Sequence, residues 1–421
     1  MPRVARLIYV AINDGKTATK HQAKQSNKFY NMTENGDTID IEYGRVDHTC
    51  TKTSKPISQW DKILRSKIKK GYKDVTHLAC EEEEPKDSGT SLQDISDRAV
   101  HMLFDQLQSF ANKTIKANYK VSSKKVTQAM IDEAQGHVNT LGSILSNKKK
   151  GYEKEFNDEL LALFHVIPRK MDNVSRWLVD TSLVGDSLFD KCQKLLNKEQ
   201  STLDVMAGQV VVNSKTDDTT ETDADTKRDL LEVLGLEVRE TESSEDDKIK
   251  ALMGPNSRQF KKGYKVVNKT TQKAFDNHLK TVDNKKTELF WHGSRNENWL
   301  NILSTGLLIR PSGAVHTGSM FGDGIYFADK AQKSIGYSSL RGSYWTGGSD
   351  NTAYLALFDV HVGEQKHIKR HSRDCYSLDH SRLKGEGLDS VFAHGGADLR
   401  NNEYIVYQSQ QCTVSYLIEI G

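Results

Sequence analysis

Apolar residues recur along this chain in two rhythms. The first eighty residues hold short runs, "RLIYVAI", "NKFYNMT" and "TIDIEYGRV", rich in β-branched and aromatic residues, which predict three strands. A helix is expected next, in "PISQWDKILRSKIKKGY". The longest early run, Leu7 to Ile12, is far shorter than the ~20 residues a membrane span needs, and no small-residue cleavage site follows it.

Between residues 92 and 205 the steps become three and four. Ile95, Ala99, Leu103, Leu107 and Phe110 share one helical face; Val126, Met130, Ala134, Val138, Leu141 and Leu145 share another. "DELLALFHVIP" stops at Pro168, and Val184, Leu188, Cys192 and Leu195 line a further helix. A helical bundle without catalytic features is expected here. After about residue 230 short strand-like runs return in "TELFWHG", "GIYFA", "AYLALFDVHVGE", "EYIVYQ" and "VSYLIEI". One short helix fits "NENWLNILSTG", with Trp299, Ile302 and Leu303 inward and Gly306 as its stop.

Two polar tracts interrupt these patterns, "CEEEEPKDSGTS" from Cys80 and "NSKTDDTTETDADTKRD" from Asn213. Neither can bury a face, so both read as linkers. The expected layout is multidomain α+β: a small β-rich domain (1–80), an acidic linker (81–91), an all-α bundle (92–212), a polar linker (213–229) and a mixed, β-dominated domain (230–421). A length of 421 residues suits about three domains at ~150 residues each.

Charge adds an asymmetry that the net value of +2 conceals. Residues 1–80 carry fifteen Lys and Arg against eight Asp and Glu, a basic module of the kind that attracts phosphate backbones. Tyr43 and Arg45 end its third strand, with Lys52 and Lys55 close behind, so a ring and several cations are available to a nucleic-acid end. The five cysteines are scattered with no C-x-x-C pair, as reduced thiols of an intracellular protein would be, and no metal site is expected.

The last domain holds the candidate chemistry. His292 stands beside Gly293, Tyr326 ends a strand after a Gly-rich turn, and Glu403 opens another strand. If Asp329 caps a helix beginning at Lys330, then Ser334 and Lys333 share a face with Tyr337 and point into one cleft. The "GDG" turn is not a dinucleotide fingerprint, which disfavours an NAD-dependent oxidoreductase.

The segments "LFWHGSR", "GSMFGDGIYFADKAQKSIGY" and "NNEYIVY" resemble the three signature blocks of the poly(ADP-ribose) polymerases, diphtheria-toxin-like ADP-ribosyltransferases with a His-Tyr-Glu triad. The resemblance implies that His292, Tyr326 and Glu403 are that triad. It gives Gly293 and Ser334 the nicotinamide carboxamide, Tyr337 the stacked ring, Ser294 a ribose contact and Lys333 the active-site lysine. Residues 92–205 resemble the family's helical regulatory domain and residues 1–80 its WGR module, with tyrosine for tryptophan in "EYGRV". The family's arginine after the first helix is Leu308 here, with Arg310 two positions on, and Met320 falls where the family holds a growing chain.

The implied activity is NAD-dependent protein ADP-ribosylation switched on by DNA breaks, with NAD as substrate and no permanently bound cofactor. Nicotinamide, a cationic ring while bound to ribose, leaves as a neutral amine and needs no protonating acid, so one carboxylate can suffice. Tyr326 and Tyr337 would sandwich the pyridinium, a cation–π arrangement worth about 0.5–2 kcal/mol. The partners implied are nicked or broken DNA with a 5′-phosphate and acceptor proteins including the enzyme itself, with no membrane. The glutamates 81–84 are a candidate place for self-modification. The expected location is intracellular and DNA-associated: the nucleus in a eukaryote, otherwise the cytoplasm or nucleoid. Glu403 favours polymer; a mono(ADP-ribosyl)transferase, or a DNA-end-binding scaffold with an inactive NAD domain, are the alternatives.

Overall fold

The computed structural model describes residues 2–12, 25–45, 49–76, 95–147, 149, 151–171, 174–217, 229–309 and 320–421. They form a mixed α/β structure of two units, one drawn from residues 1–88 and 114–210, the other from 89–113, 211–312 and 318–421. The acidic tract 81–91, His48, Cys80 and Arg310 lie outside the described residues.

The first unit opens with strands β1 (Val4–Ile12), β2 (Gln25–Asn35), β3 (Thr38–Arg45) and β4 (Thr51–Pro56), then helix α1 (Trp60–Lys69) and a short β5 (Lys73–Asp74). They make one antiparallel sheet in the order β4-β3-β2-β1-β5. Side chains alternate across a strand, so Ala5, Leu7, Tyr30, Met32, Ile39 and Ile41 gather on one face, where Trp60 of α1 covers them. At the open end of this face the register sets Tyr43 opposite Tyr30 and Arg45 opposite Lys28. The Lys67 ammonium lies 3.6 Å from the centre of the Tyr30 ring, and burial, then Lys70 and Lys28, pulls its pKa down.

Helices α2 (Arg98–Asn118), α3 (Gln128–Asn147), α4 (Tyr152–Val166) and α5 (Gly185–Asp217) follow. The expected face of α3 is buried from Met130 through Leu145. Two readings need correction. Val184 is 78% exposed, because it precedes the first turn of α5 and belongs to no helical face. Helix α5 also continues through Asp217 into the tract read as a linker, whose residues 218–228 lie outside the described residues.

In the first unit Arg169 and Glu199 form an ion pair at 2.5 Å, both side chains almost wholly buried, with the guanidinium 4.5 Å from the centre of the Tyr119 ring. Burial pushes the Tyr119 phenol up to about 12. Two charges in such a place stabilise the fold only together. Arg169→Met is expected to cost about 3–5 kcal/mol by stranding Glu199, and Arg169→Met with Glu199→Leu far less. Urea denaturation monitored by far-UV circular dichroism checks both.

The second unit carries α2 as far as Lys113, the end of α5, and α6 (Leu230–Leu234), β6 (Leu236–Glu240), α7 (Ser243–Met253), β7 (Phe260–Asn268), α8 (Lys269–Thr281), β8 (Thr287–Gly293), α9 (Trp299–Thr305), β9 (Ile325–Phe327) and α10 (Ala331–Ile335). It ends with β10 (Ala353–His361), β11 (Gln365–Ile368), α11 (His380–Gly385), β12 (Ser390–Ala393), β13 (Glu403–Val406) and β14 (Cys412–Ile420). Two sheets result, β6-β7-β14-β10-β8 and β11-β12-β13-β9. Strand β10 is buried at every residue but Asp359, which explains its unbroken apolar run. Its sheet packs Tyr354, Ala356 and Phe358 against one core and Leu355 and Leu357 against another. No helix of the described residues is long and apolar enough to cross a membrane.

Candidate active site

The two sheets of the second unit meet at the end of β8. Trp291 N–H donates to Ala328 O at 2.8 Å and receives the Ala328 N–H at 3.0 Å. Backbone groups alternate in direction along a strand, so Gly293, two residues on, turns its N–H and C=O to that same side, away from β10. A side chain could not fit there: a Cβ on Gly293 would lie 1.9 Å from the Ser334 carbonyl oxygen.

Between them, His292 pairs with Ala356 and so shares the face of the sheet that carries this buried residue. Its Nδ1–H donates to the Tyr326 carbonyl at 3.1 Å, and the rings of Trp299, Phe327 and Phe358 stand edge-on at 6.4, 5.8 and 5.9 Å. Burial pushes its pKa down to about 4, so near neutrality the imidazole is uncharged and Nε2 carries a lone pair.

Tyr326 is held at its far end. Its hydroxyl accepts the Phe321 N–H at 3.0 Å and donates to Gly322 O at 2.8 Å, fixing the ring against the "FGDG" turn. That turn needs Gly322: its φ is +79°, and a Cβ would lie 2.0 Å from Leu378 O. Burial pushes the Tyr326 phenol far above its ordinary range.

Helix α10 corrects one expectation. Asp329 does not cap it; it stands one residue too early, since Lys330 is the N-cap, in an extended conformation without a side-chain bond, and Asn402 Nδ2 donates to Asp329 Oδ2 at 2.7 Å while Oδ1 has no partner among the described residues. The helix ends at Ile335, so Tyr337 lies on the turn beyond it, its N–H bonded to Ser334 O at 3.0 Å. Ser334 is buried, and Tyr337 is 36% exposed with its ring stacked near Trp345. Burial, then Glu403, pushes the Tyr337 phenol up to about 12.

Glu403 opens β13, which pairs with β9 through Ile405 and Tyr326. It is buried; Lys333 Nζ grips Oε1, while Oε2 has no partner among the described residues. Burial pulls the Lys333 pKa down and Glu403 pulls it back. An anchored carboxylate with a spare lone-pair oxygen, a neutral imidazole, a strand-edge amide and an exposed tyrosine face suit one chemistry. They can hold a flat cationic ring and a sugar hydroxyl while positive charge develops between them.

Comparison with known proteins agrees. Residues 243–421 match the family model described as poly(ADP-ribose) polymerase catalytic domain. The chain is 31% identical over 186 residues to putative poly [ADP-ribose] polymerase-like 100L of Invertebrate iridescent virus 6, covering 44% of this chain and 97% of that protein. It belongs to the poly(ADP-ribose) polymerase family. The enzyme is an NAD+ ADP-ribosyltransferase, with NAD+ as substrate and no permanent cofactor. Human poly [ADP-ribose] polymerase 2 is 33% identical over 157 residues, 31% of this chain and 26% of that protein. Uncharacterized protein 101L of the same virus is 31% identical over 189 residues, 45% of this chain and 74% of its own length.

Two amides of the enzyme's cleft went unnoticed in the sequence. Asn298 Nδ2 donates to Ser294 Oγ at 2.9 Å, and its Oδ1 has no partner among the described residues. Asn402 accepts the Gly395 N–H at 2.9 Å and offers its main-chain oxygen to Lys333 Nζ at 3.3 Å, besides holding Asp329. It thereby ties the start of β13 to the loop that leads into α10. Asn402→Asp would set two carboxylates face to face. Its kcat is expected to fall roughly a hundredfold at pH 8 and to recover toward pH 5, where the pair binds a proton. A wild-type pH profile in steady-state kinetics would remove Asn402 from this role.

The residues expected to meet nucleic acid do not all come together. Tyr43 and Arg45 share the face that holds Tyr30, Lys28 and Lys67. Lys55, opposite Ile39, lies on that face but at the far end of the strand pair. Lys52 stands opposite Glu42 on the other face and pairs with it at 2.5 Å. Met320 is partly buried, and its carbonyl accepts the His371 Nε2–H at 2.8 Å; Leu308 is exposed.

Proposed function

We propose that this enzyme builds poly(ADP-ribose) on itself and on other proteins, with release of nicotinamide, when it meets a DNA break. The observation that carries the reading is Glu403, anchored on one oxygen by Lys333 and open on the other. In the proposed mechanism Gly293 and Ser334 hold the nicotinamide carboxamide, and Tyr337 stacks on its ring with Tyr326 across the slot. His292 Nε2 and Ser294 hold ribose hydroxyls. Glu403 Oε2 accepts a hydrogen bond from the donor ribose, stabilising the ribosyl cation as the C–N bond to nicotinamide breaks. An acceptor hydroxyl then adds to that carbon and gives up its proton to the same carboxylate.

The regulatory half of the proposal assigns residues 1–80 to a WGR-like DNA-binding domain and residues 92–212 to a helical regulatory domain, with residues 230–421 catalytic. The tyrosine and lysine cluster around Tyr43, Arg45, Lys28 and Lys67 supports a DNA-facing end of the sheet, since rings stack on bases and cations meet phosphates. The proposal puts the enzyme inside the cell with DNA, in the nucleus of a eukaryote and otherwise in the cytoplasm or nucleoid.

The test is incorporation of labelled ADP-ribose from NAD by the full chain, with and without nicked 5′-phosphorylated DNA, on a denaturing gel. A DNA-dependent smear of high mass supports the reading. A single sharp band means mono-transfer, and equal labelling without DNA removes the switch.

A further inference from the structure

The sheet that carries Glu403 has, at its edge, a pair of histidines that takes no part in the cleft. Strand β11 is that edge and runs parallel to β12, with His367 opposite Phe392 and Ile368 opposite Ala393. His394 follows directly, and its N–H donates to Ile368 O at 2.8 Å, so the strands stay joined one residue past the end of β12. Opposite residues of paired strands share a face, as do alternate residues of one strand. This gathers His367, Phe392 and His394 on one side of the sheet, with Val391, Ala393 and Ile368 turned to the core on the other.

Packing fixes both imidazoles. Phe392 stacks on His394 at 4.1 Å and 28° between ring planes, meets His367 edge-on at 5.2 Å and 65°, and is itself backed by Tyr404 at 4.7 Å and 9°. The two rings therefore do not rely on each other for their places. His367 is exposed and His394 half-buried, and Nδ1 of the first lies 3.0 Å from Nε2 of the second. A hydrogen bond across that gap, open to water, contributes only about 0.5–1.5 kcal/mol. The gap is also that of a chelate: two nitrogens bound at ~2.0 Å to one ion, ~90° apart, lie ~2.9 Å from each other.

We infer that His367 and His394 form a chelating site for an imidazole-seeking divalent transition metal. The ion takes the place of the proton between the two nitrogens, and that proton moves to the outer nitrogen of its own ring. A right-angled pair of donors favours Cu2+ and Ni2+ over Zn2+, whose tetrahedral angle sets nitrogens ~3.3 Å apart. Among the described residues no cluster of three His, Cys, Asp or Glu side chains is placed to hold an ion, so water fills the other positions and the ion exchanges freely. It is a ligand of the surface and not a cofactor of the transfer. Lys369 acts on His394 and opposes a cation, which keeps the affinity modest. The other close pair, His278 and His361 at 2.9 Å, is less suited: His361 is wholly buried and its Nε2–H already donates to Asn284 O at 2.7 Å. An ion on His394 also sits next to Gly395, whose N–H is held by Asn402 Oδ1 at 2.9 Å, and so braces the turn that returns to Glu403.

The test uses the full chain, freed of metal by a chelator and with accessible thiols blocked by N-ethylmaleimide. Ni2+ is titrated by calorimetry in a buffer that binds no metal, and Cu2+ is added at less than one equivalent for pulsed electron paramagnetic resonance. One Ni2+ per chain is expected, with a Cu2+ spectrum that carries two imidazole nitrogens. His367→Gln and His394→Gln should each weaken Ni2+ at least about tenfold, the cost of disturbing even an outer partner of a metal site, and each should leave one imidazole in the spectrum. Melting curves without metal verify that both variants fold. The inference is overturned if no ion binds, if the wild-type spectrum carries a single imidazole nitrogen, or if both folded variants bind like the wild type; the pair is then only hydrogen-bonded.

Discussion

Glu403→Gln lowers kcat for ADP-ribosyl transfer by about a thousandfold, with KM for NAD changed by less than about threefold. The expectation follows from the two ends of the carboxylate. Lys333 holds Oε1, so the group is aimed before substrate arrives, and Oε2 is buried without a partner. A preorganised charge of this kind acts mainly on the transition state, where the ribosyl carbon becomes positive; the ground state gains little from it. Glutamine keeps the shape and loses the charge. Its amide also has to face the Lys333 ammonium or donate into the sugar, and neither restores the field. Initial rates of nicotinamide release over a range of NAD concentrations check the split. A variant with normal kcat and a raised KM would make Glu403 a binding residue only.

Gly293→Ala lowers kcat/KM for NAD by at least about a hundredfold, through loss of binding. The added methyl would stand 1.9 Å from the Ser334 carbonyl oxygen, so α10 has to move off the strand or the strand has to twist. Either movement displaces Ser334 and Lys333 from Gly293 together. The same displacement reaches Glu403 through its bond to Lys333. Equilibrium binding of NAD to the variant, alongside its melting temperature, tells a blocked slot from an unfolded domain. Unchanged NAD affinity in a folded Gly293→Ala protein would show that the backbone at this position does not hold the carboxamide.

Much of the catalytic unit was legible because its elements bury residues at clear periods. "TELFWHG" and "EYIVYQ" became β8 and β13, and "NENWLNILSTG" became a turn and α9 that stops at Gly306, where φ is +82°. Helices α7 and α8 were missed because they bury little: Ile249 and Met253 in the first, Phe275 in the second. So thin a stripe gives no period to read, and strand pairing on either side, with Asn268 capping α8, sets them as helices instead. The site followed the same division. His292, Gly293, Tyr326, Lys333, Ser334, Tyr337 and Glu403 stand in recognisable segments, whereas Asn298 and Asn402 carry no local signal. An amide is a surface residue in most sequences, and the partner that gives Asn402 its place, Asp329, is 73 positions away. Asp329 was misread for a related reason. An aspartate before a helix is a good cap by propensity, but the first turn starts one residue later than expected and leaves Lys330 at the N-cap.

The backbone bridge between Trp291 and Ala328 bears on how the catalytic unit unfolds. It is the one backbone bridge between the two sheets among the described residues. The core around Tyr354 and Phe358 also takes Ile325, Phe327 and Val406 from the second sheet, whereas the core around Val391 and Ile405 belongs to the second sheet and its loops. Cooperativity between two such bodies depends on how strongly they are joined. In the proposed mode NAD would meet β8 on one sheet and Glu403 on the other, adding a joint at the surface to the one that the shared core makes inside. Bound substrate would then raise the midpoint of the thermal transition.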